Sequence, residues 1–208
     1  MKIDGIIFDL DGTLWDSTQV VLKSWNRILE DREGIKNKLS KETMESVMGL
    51  QLPQIGAKLF PYLEVKDQME LMLACCTLEC GLIKEEGGEL FQGISDTLKK
   101  LFSRYPLFIV SNCQDGYIEA FFSYHKLDKY FIDYEHAGKT RLPKGENIKL
   151  IMERNGLTSP IYVGDTQGDL DGARLAAIPF VYAAYGFGKV QEYEYSIDSI
   201  QDLCKLFL

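Results

Sequence analysis

The chain has 208 residues, with 31 acidic against 23 basic side chains for a formal charge of −8, and apolar and charged fractions of 46% and 26%. That length supports one ample core burying roughly 70% of the unfolded surface, with room for a second small lobe. The acidic balance argues against nucleic acid as a partner, and strand-sized apolar runs argue against a membrane span.

The start, Met1-Lys2-Ile3-Asp4-Gly5, lacks the long apolar region of a signal peptide, so a cytoplasmic protein is expected. Ile6-Ile7-Phe8 reads as a buried strand that stops at Asp9, and Asp11-Gly12 offers a turn that brings both carboxylates to one crevice. From Asp16 to about Leu82 the sequence predicts helices only. Asp16-Ser17-Thr18 caps one that carries Val20, Val21, Leu22, Trp25, Ile28 and Leu29, and Ser40 opens a second through Met48. Pro53 starts a third, to Leu59, and the fourth runs from about Val65 to Leu82.

After Gly87-Gly88 strands and helices alternate. The spacing predicts strands at 107–112, 130–133, 160–165 and 179–183, separated by helices over 95–104, 116–124, 144–154 and 169–175, with a last helix over 200–206. Such alternation implies an α/β fold with a doubly wound, Rossmann-like parallel sheet. Residues 1–14 and 88–208 form the expected catalytic core, and residues 15–87 an inserted all-α cap hinged at Trp15 and Gly87-Gly88.

Ser111-Asn112, Lys144 and Asp165 stand, like Asp9, where a predicted strand ends or a helix begins. The segment Asp9-Leu10-Asp11-Gly12-Thr13-Leu14, then Ser111, then Lys144, then Gly164-Asp165 with Asp169 four residues on, resembles in order and placement the four motifs of the haloacid dehalogenase-like hydrolase superfamily. Within it, Asp16-Ser17 and Ala183-Ala184-Tyr185-Gly186-Phe187-Gly188 resemble the helical-cap subclass that includes phosphoglycolate phosphatases. One departure is Ala177, where such relatives often carry glycine.

The resemblance implies hydrolysis of a small phosphate monoester through an aspartyl phosphate. Asp9 is then the nucleophile and Asp11 the acid that protonates the leaving oxygen, a residue that family dehalogenases generally lack. Thr13, Ser111, Asn112 and Lys144 are the expected phosphate-binding groups. Lys144 also stabilises charge on the transferring oxygens. Asp9, Asp11 (through its carbonyl) and Asp165 would hold a metal, with Asp169 orienting Lys144 or a metal-bound water. That all-oxygen set suits Mg²⁺.

A sugar phosphomutase on the same scaffold is the alternative, and Thr13 could equally stabilise its turn. A receiver domain phosphorylated on aspartate fits poorly, because it has no inserted helical lobe. Lys139 and Arg141 compete with Lys144 but read as solvated, and His125 and His136 lie outside every motif. Five cysteines, Cys75, Cys76, Cys80, Cys113 and Cys204, lack paired spacing and read as reduced thiols, with Cys113 open to reactivity. The partner is expected to be a small phosphorylated metabolite. Lys23, Arg27 and Lys58 are candidates for its specificity that spacing does not separate from solvated faces.

Overall fold

Ile6–Phe8 forms strand β1 in the computed structural model, which describes residues 2–30, 32, 34–35 and 38–208. The chain then passes through β2 (Trp15–Asp16) into α1 (Thr18–Glu30), α2 (Lys41–Glu45), α3 (Leu52–Leu59) and α4 (Val65–Glu86), and returns along β3 (Glu89–Leu90). There follow α5 (Ile94–Phe102), β4 (Leu107–Ser111), α6 (Tyr117–His125), a 3-10 turn at Asp128–Tyr130 and β5 (Asp133–His136). The remainder is α7 (Ala137–Thr140), α8 (Lys144–Asn155), β6 (Ile161–Gly164), α9 (Gln167–Leu175), β7 (Phe180–Ala183), β8 (Tyr195–Ile197) and α10 (Asp202–Phe207).

Six strands make one parallel sheet in the order β5-β4-β1-β6-β7-β8. Alternation along each strand sends successive side chains to opposite faces. Ile7, Phe108, Val110, Tyr162 and Phe180 pack on one face with α8 and α9, through Ile148, Ile151, Leu170 and Ala173. Ile6, Phe8, Ile109, Val163 and Val181 pack on the other, in one core with Leu98 of α5, Phe121 of α6 and Leu203 of α10. Both faces being covered, the sheet is doubly wound and β1 is apolar throughout.

β2 and β3 form an antiparallel two-residue ribbon where the chain leaves for the four helices and where it comes back. Trp15 is fully buried there, edge-on to Phe121 with ring centroids 4.9 Å apart. Two residues per strand carry no periodic signal, so the ribbon is absent from the sequence expectation. Helix α1 starts as expected, the Thr18 N–H donating to Asp16 Oδ1 at 2.8 Å.

Two strands depart from the spacing. β5 lies at 133–136 rather than 130–133, because this edge strand is polar: Asp133 and Glu135 bind Arg154 of α8 at 2.7 and 2.9 Å, while Tyr130 ends the 3-10 turn. β8, also at an edge, pairs with β7 from a stretch of alternating Glu and Tyr that carries no apolar run. Helix α9 begins at Gln167, not Asp169, since Thr166 caps it and Asp169 returns the bond in a capping box.

Candidate active site

The strand order reverses at β1, which leaves a crevice beyond the carboxyl ends of β4, β1 and β6. Each of these neighbours delivers one residue there: Ser111 ends β4, Asp9 follows β1 and Asp165 follows β6. The chain turns at once after Asp9, with the Leu14 N–H on Leu10 O at 2.9 Å and the Gly12 N–H on Trp15 O at 2.9 Å. Gly12 has φ +82°, and a Cβ on it would lie 2.3 Å from Asp165 Oδ2, so glycine is required both by conformation and by space.

Lys144, the first residue of α8 and 5% exposed, places Nζ 2.8 Å from Asp9 Oδ1 and 2.5 Å from Asp169 Oδ1. Burial opposes its charge, but Asp169 and Asp9 outweigh that and hold its pKa above the usual lysine range. Asp9 is pushed well up by burial and by Asp169 and Asp165, with Lys144 pulling the other way. Its Oδ2 is buried and has no hydrogen-bond partner among the described residues.

Asp165 accepts the Phe187 N–H at 2.8 Å and the Gly188 N–H at 3.3 Å on Oδ2, and the Thr13 hydroxyl at 3.3 Å on Oδ1. Burial and then Asp169 push it up to about 7 against those backbone bonds. Ligand atoms of Asp9, Asp165 and Asp169 lie within 4.8 Å of one another. Asp169 is the most committed of the three. Its Oδ1 faces Lys144, and its Oδ2 accepts the Asp165 and Thr166 N–H groups and the Thr166 hydroxyl at 3.1, 2.8 and 2.7 Å.

Asp11 turns its carboxylate away from this cluster. Oδ1 accepts the Ser17 hydroxyl at 2.6 Å and the Tyr117 hydroxyl at 2.8 Å, and burial raises its pKa. Thr13 donates its hydroxyl to Asp165 rather than to its own turn, while its carbonyl accepts the Tyr185 hydroxyl at 2.8 Å. Ser111 Oγ accepts the Cys113 N–H at 3.3 Å. Asn112 reaches into the helical lobe, Nδ2 donating to Gly49 O at 2.9 Å, while its Oδ1 is buried without a partner among the described residues.

A chamber of about 50 Å³ lies between Asp11, the loop after β4 and the helical lobe, with Val21, Met44, Val47 and Ile55 among its walls. Among the described residues the lobe contributes one charged group to it, Glu79 of α4, 3% exposed. Trp25 Nε1 donates to Glu79 Oε2, and Gln114 Nε2 donates to Oε1 at 2.7 Å. Burial pushes Glu79 up to about 7 against those two donors, with Asp11 adding to the rise. Sequence reasoning missed Glu79, Gln114 and Tyr117. The signal for Glu79 existed, since it falls on the buried stripe Met72, Cys75, Cys76, Leu82 and Ile83 of α4 at helical spacing.

The remaining candidates lie elsewhere. Lys139 pairs with Glu135 at 3.5 Å, and Arg141 lines a second depression with Gln51, Pro53 and Leu73, which adjoins the chamber at Leu52, Asn112 and Cys113. Lys23 pairs with Glu86 at 2.6 Å and Lys58 donates to Ser46 O at 2.6 Å. Arg27 borders an open depression with Ala74 and Glu85. His125 packs among Trp15, Phe121 and Tyr124, and His136 stands 3.6 Å from Asp115. All five cysteines are free, and burial holds the Cys113 thiol well above its ordinary range, which argues against a reactive thiolate. Among the described residues no helix is long and apolar enough to cross a membrane.

The family model for haloacid dehalogenase-like hydrolases matches residues 6–183. A phosphoglycolate phosphatase of Salmonella typhi is 26% identical over 236 residues, covering 97% of this chain and 91% of that protein. One from Escherichia coli K12 is 24% identical over 214 residues, covering 89% and 82%. A haloacid dehalogenase-like family hydrolase from Streptococcus pneumoniae superposes with a TM-score of 0.87 at 23% identity over 99% of both chains. The β-phosphoglucomutase of Clostridium difficile does so at 0.76 and 17% identity, over 97% of this chain and 93% of that one. The match spans all four sequence motifs and the whole run from β1 to β7, so this chain belongs to the haloacid dehalogenase-like hydrolase family.

Proposed function

We propose that the protein is a Mg²⁺-dependent phosphatase that hydrolyses a small phosphate monoester through a phosphoryl group carried on Asp9. The observation that carries this reading is Asp9 Oδ2, a buried carboxylate oxygen left without a partner beside an ammonium at 2.8 Å on the other oxygen. Most buried polar atoms are satisfied, and an orphan in a crevice of charged groups marks a place where chemistry supplies the partner.

Asp9 Oδ2 attacks phosphorus as the bond from phosphorus to the leaving oxygen breaks, and Asp11 gives its proton to that oxygen. Water then attacks the same phosphorus, Asp11 takes the proton, and the bond to Asp9 breaks to release inorganic phosphate. Asp11 is fixed for both transfers by Ser17 and Tyr117, which bind only Oδ1. Lys144 offsets the repulsion between Asp9 and the incoming phosphate, with Ser111 and Asn112 at the neighbouring strand end to hold its oxygens. In this reading residues 15–87 are a cap over the leaving group, joined to the core by the β2–β3 ribbon and by Asn112 on Gly49.

The donor set fits a hard divalent cation: carboxylates of Asp9 and Asp165 with ligand atoms close together, and no soft ligand among that cluster. Asp169, unlike Asp165, bonds the Lys144 ammonium directly through Oδ1 and the start of α9 through Oδ2, so in this reading its part is to orient Lys144. When bound, the cation aligns the carboxylate with the phosphoryl group and neutralises charge on it. A phosphomutase needs cations to hold a second phosphate in the chamber. No lysine or arginine is among its described lining residues, which favours hydrolysis.

Phosphate release from para-nitrophenyl phosphate with Mg²⁺, with isomer formation from a sugar monophosphate monitored alongside, tests the reading. Asp9→Asn is expected to abolish turnover with the fold intact, and chelation to stop it. Activity within tenfold of the parent in Asp9→Asn refutes the nucleophile.

A further inference from the structure

The leaving oxygen has to lie within hydrogen-bond reach of Asp11, since Asp11 protonates it. Asp11 lines the 50 Å³ chamber and is not among the residues of the Arg141 depression, so the leaving group enters the chamber. There it meets the apolar side chains of Val21, Met44, Val47 and Ile55, the amides of Asn112 and Gln114, and one carboxylate besides Asp11, that of Glu79. Each Glu79 oxygen already holds one donor, from Trp25 or from Gln114, and keeps a further acceptor site. The two donors come from α1 and from the loop after β4, so the carboxylate is held from both the lobe and the core.

None of the lobe's described basic residues lines the chamber. Lys23, Arg27 and Lys58 all lie outside the chamber, two of them on partners of their own. A substrate whose leaving group carries a carboxylate would set that anion against Glu79 in a small, largely apolar space with no described basic residue lining it.

We propose that Glu79 selects a leaving group that bears no negative charge and presents a hydrogen-bond donor, a hydroxyl or an ammonium, on a small body, and that it rejects carboxylate-bearing esters. The inference rests on the phosphatase reading above. It sets this chain apart from the relatives named as phosphoglycolate phosphatases, whose substrate ends in a carboxylate.

The test compares kcat/KM, at mildly alkaline pH with Mg²⁺, for para-nitrophenyl phosphate, glycerol phosphate, phosphoethanolamine and 2-phosphoglycolate. The expected result is turnover of glycerol phosphate or phosphoethanolamine about 10²-fold better than 2-phosphoglycolate. Glu79→Gln, which keeps size and removes charge, is expected to narrow that gap by about tenfold. Met48→Lys, at the half-buried rim of the same chamber, is expected to raise 2-phosphoglycolate turnover without any change at Glu79. Equal use of 2-phosphoglycolate by the parent protein overturns the proposal. A gap that persists in Glu79→Gln overturns the role of Glu79. If that variant fails to fold, a Met48→Lys protein with no gain on 2-phosphoglycolate overturns the charge argument. Absence of turnover on all four esters, para-nitrophenyl phosphate included, overturns the phosphatase reading itself.

Discussion

Lys144→Ala removes the ammonium that two buried carboxylates share, and it separates the catalytic from the structural value of one charge. Nζ is 2.8 Å from Asp9 and 2.5 Å from Asp169, with all three side chains almost fully buried. Losing one charge-stabilising donor from the transition state lowers kcat by roughly 10²- to 10³-fold, equivalent to about 3–4 kcal/mol. Leaving Asp9 and Asp169 without their cation costs about 3–5 kcal/mol of stability. For a chain of this size that is a fall in melting temperature of roughly 6–20 °C. Steady-state kinetics with para-nitrophenyl phosphate and thermal melts monitored by circular dichroism measure the two losses independently. A loss confined to KM would make Lys144 a uniform binding group. An unchanged melting temperature would mean that the ion pairs do not compensate the buried carboxylates.

Gly12→Ala introduces about 1–2 kcal/mol of left-handed backbone strain and a Cβ at 2.3 Å from Asp165 Oδ2, so a drop in turnover of about 10²-fold or more is expected. Activity equal to the parent would show that Asp165 need not stay where it is. Ala177→Gly is expected to stabilise the protein by about 0.5–1 kcal/mol, roughly 1–4 °C in melting temperature, with kcat unaltered. Ala177 has φ +56° and closes α9, its N–H on Arg174 O at 3.0 Å and that of Ile178 on Ala173 O at 3.1 Å, a glycine position held by alanine. Mg²⁺ at 100 times its dissociation constant is expected to stabilise the folded chain by about 2.7 kcal/mol, read as a rise in melting temperature that Asp165→Asn removes. Burial lowers the His125 pKa to about 4, below its unfolded value of 6.5, so the unfolded chain takes up the proton first and stability falls as pH drops from about 6.5 towards 4. Urea unfolding across that range checks it, and His125→Phe should flatten the slope.

The strand ends that carry Asp9 and Asp165 were legible because the physics that buries a strand also marks where it stops. Ile6-Ile7-Phe8 and Ile161-Tyr162-Val163 are apolar on both faces, and the first carboxylate after each has to stand at the edge of the core. Lys144 was legible through position as well, since a lysine opening a helix runs against the macrodipole and asks for an anion. Edge strands gave no such signal. β5 puts Asp133 and Glu135 into its pairing with β4 and satisfies them with Arg154, a residue that no local pattern ties to them. Glu79 was hidden by composition: among several glutamates on α4 only its place on the apolar stripe distinguishes it, and a charged residue on such a stripe reads as a break in the pattern. The hydroxyls of Ser17 and Tyr117 meet on Asp11 from 100 residues apart, a relation that only the folded chain contains.

The site's charge explains why the core around it is built so tightly. Asp9, Asp165 and Asp169 are buried within reach of one another, the Lys144 ammonium bonds Asp9 and Asp169, and burial together with the neighbouring carboxylates drives the Asp9 and Asp165 pKa values upwards. A cluster in that state would relax apart if its backbone could move. It is prevented from doing so by groups with no chemistry of their own. Gly12 and Gly186 both press against Asp165, where an added Cβ would come within 2.3 Å of its side chain, and the Phe187 and Gly188 N–H groups hold its Oδ2. Asp169 is fixed by the α9 capping box through Thr166. Repulsion retained in this way keeps the three carboxylates close with Asp9 Oδ2 unpartnered among the described residues, so in the proposed reaction the glycines around Asp165 are as much a condition of activity as the carboxylates themselves.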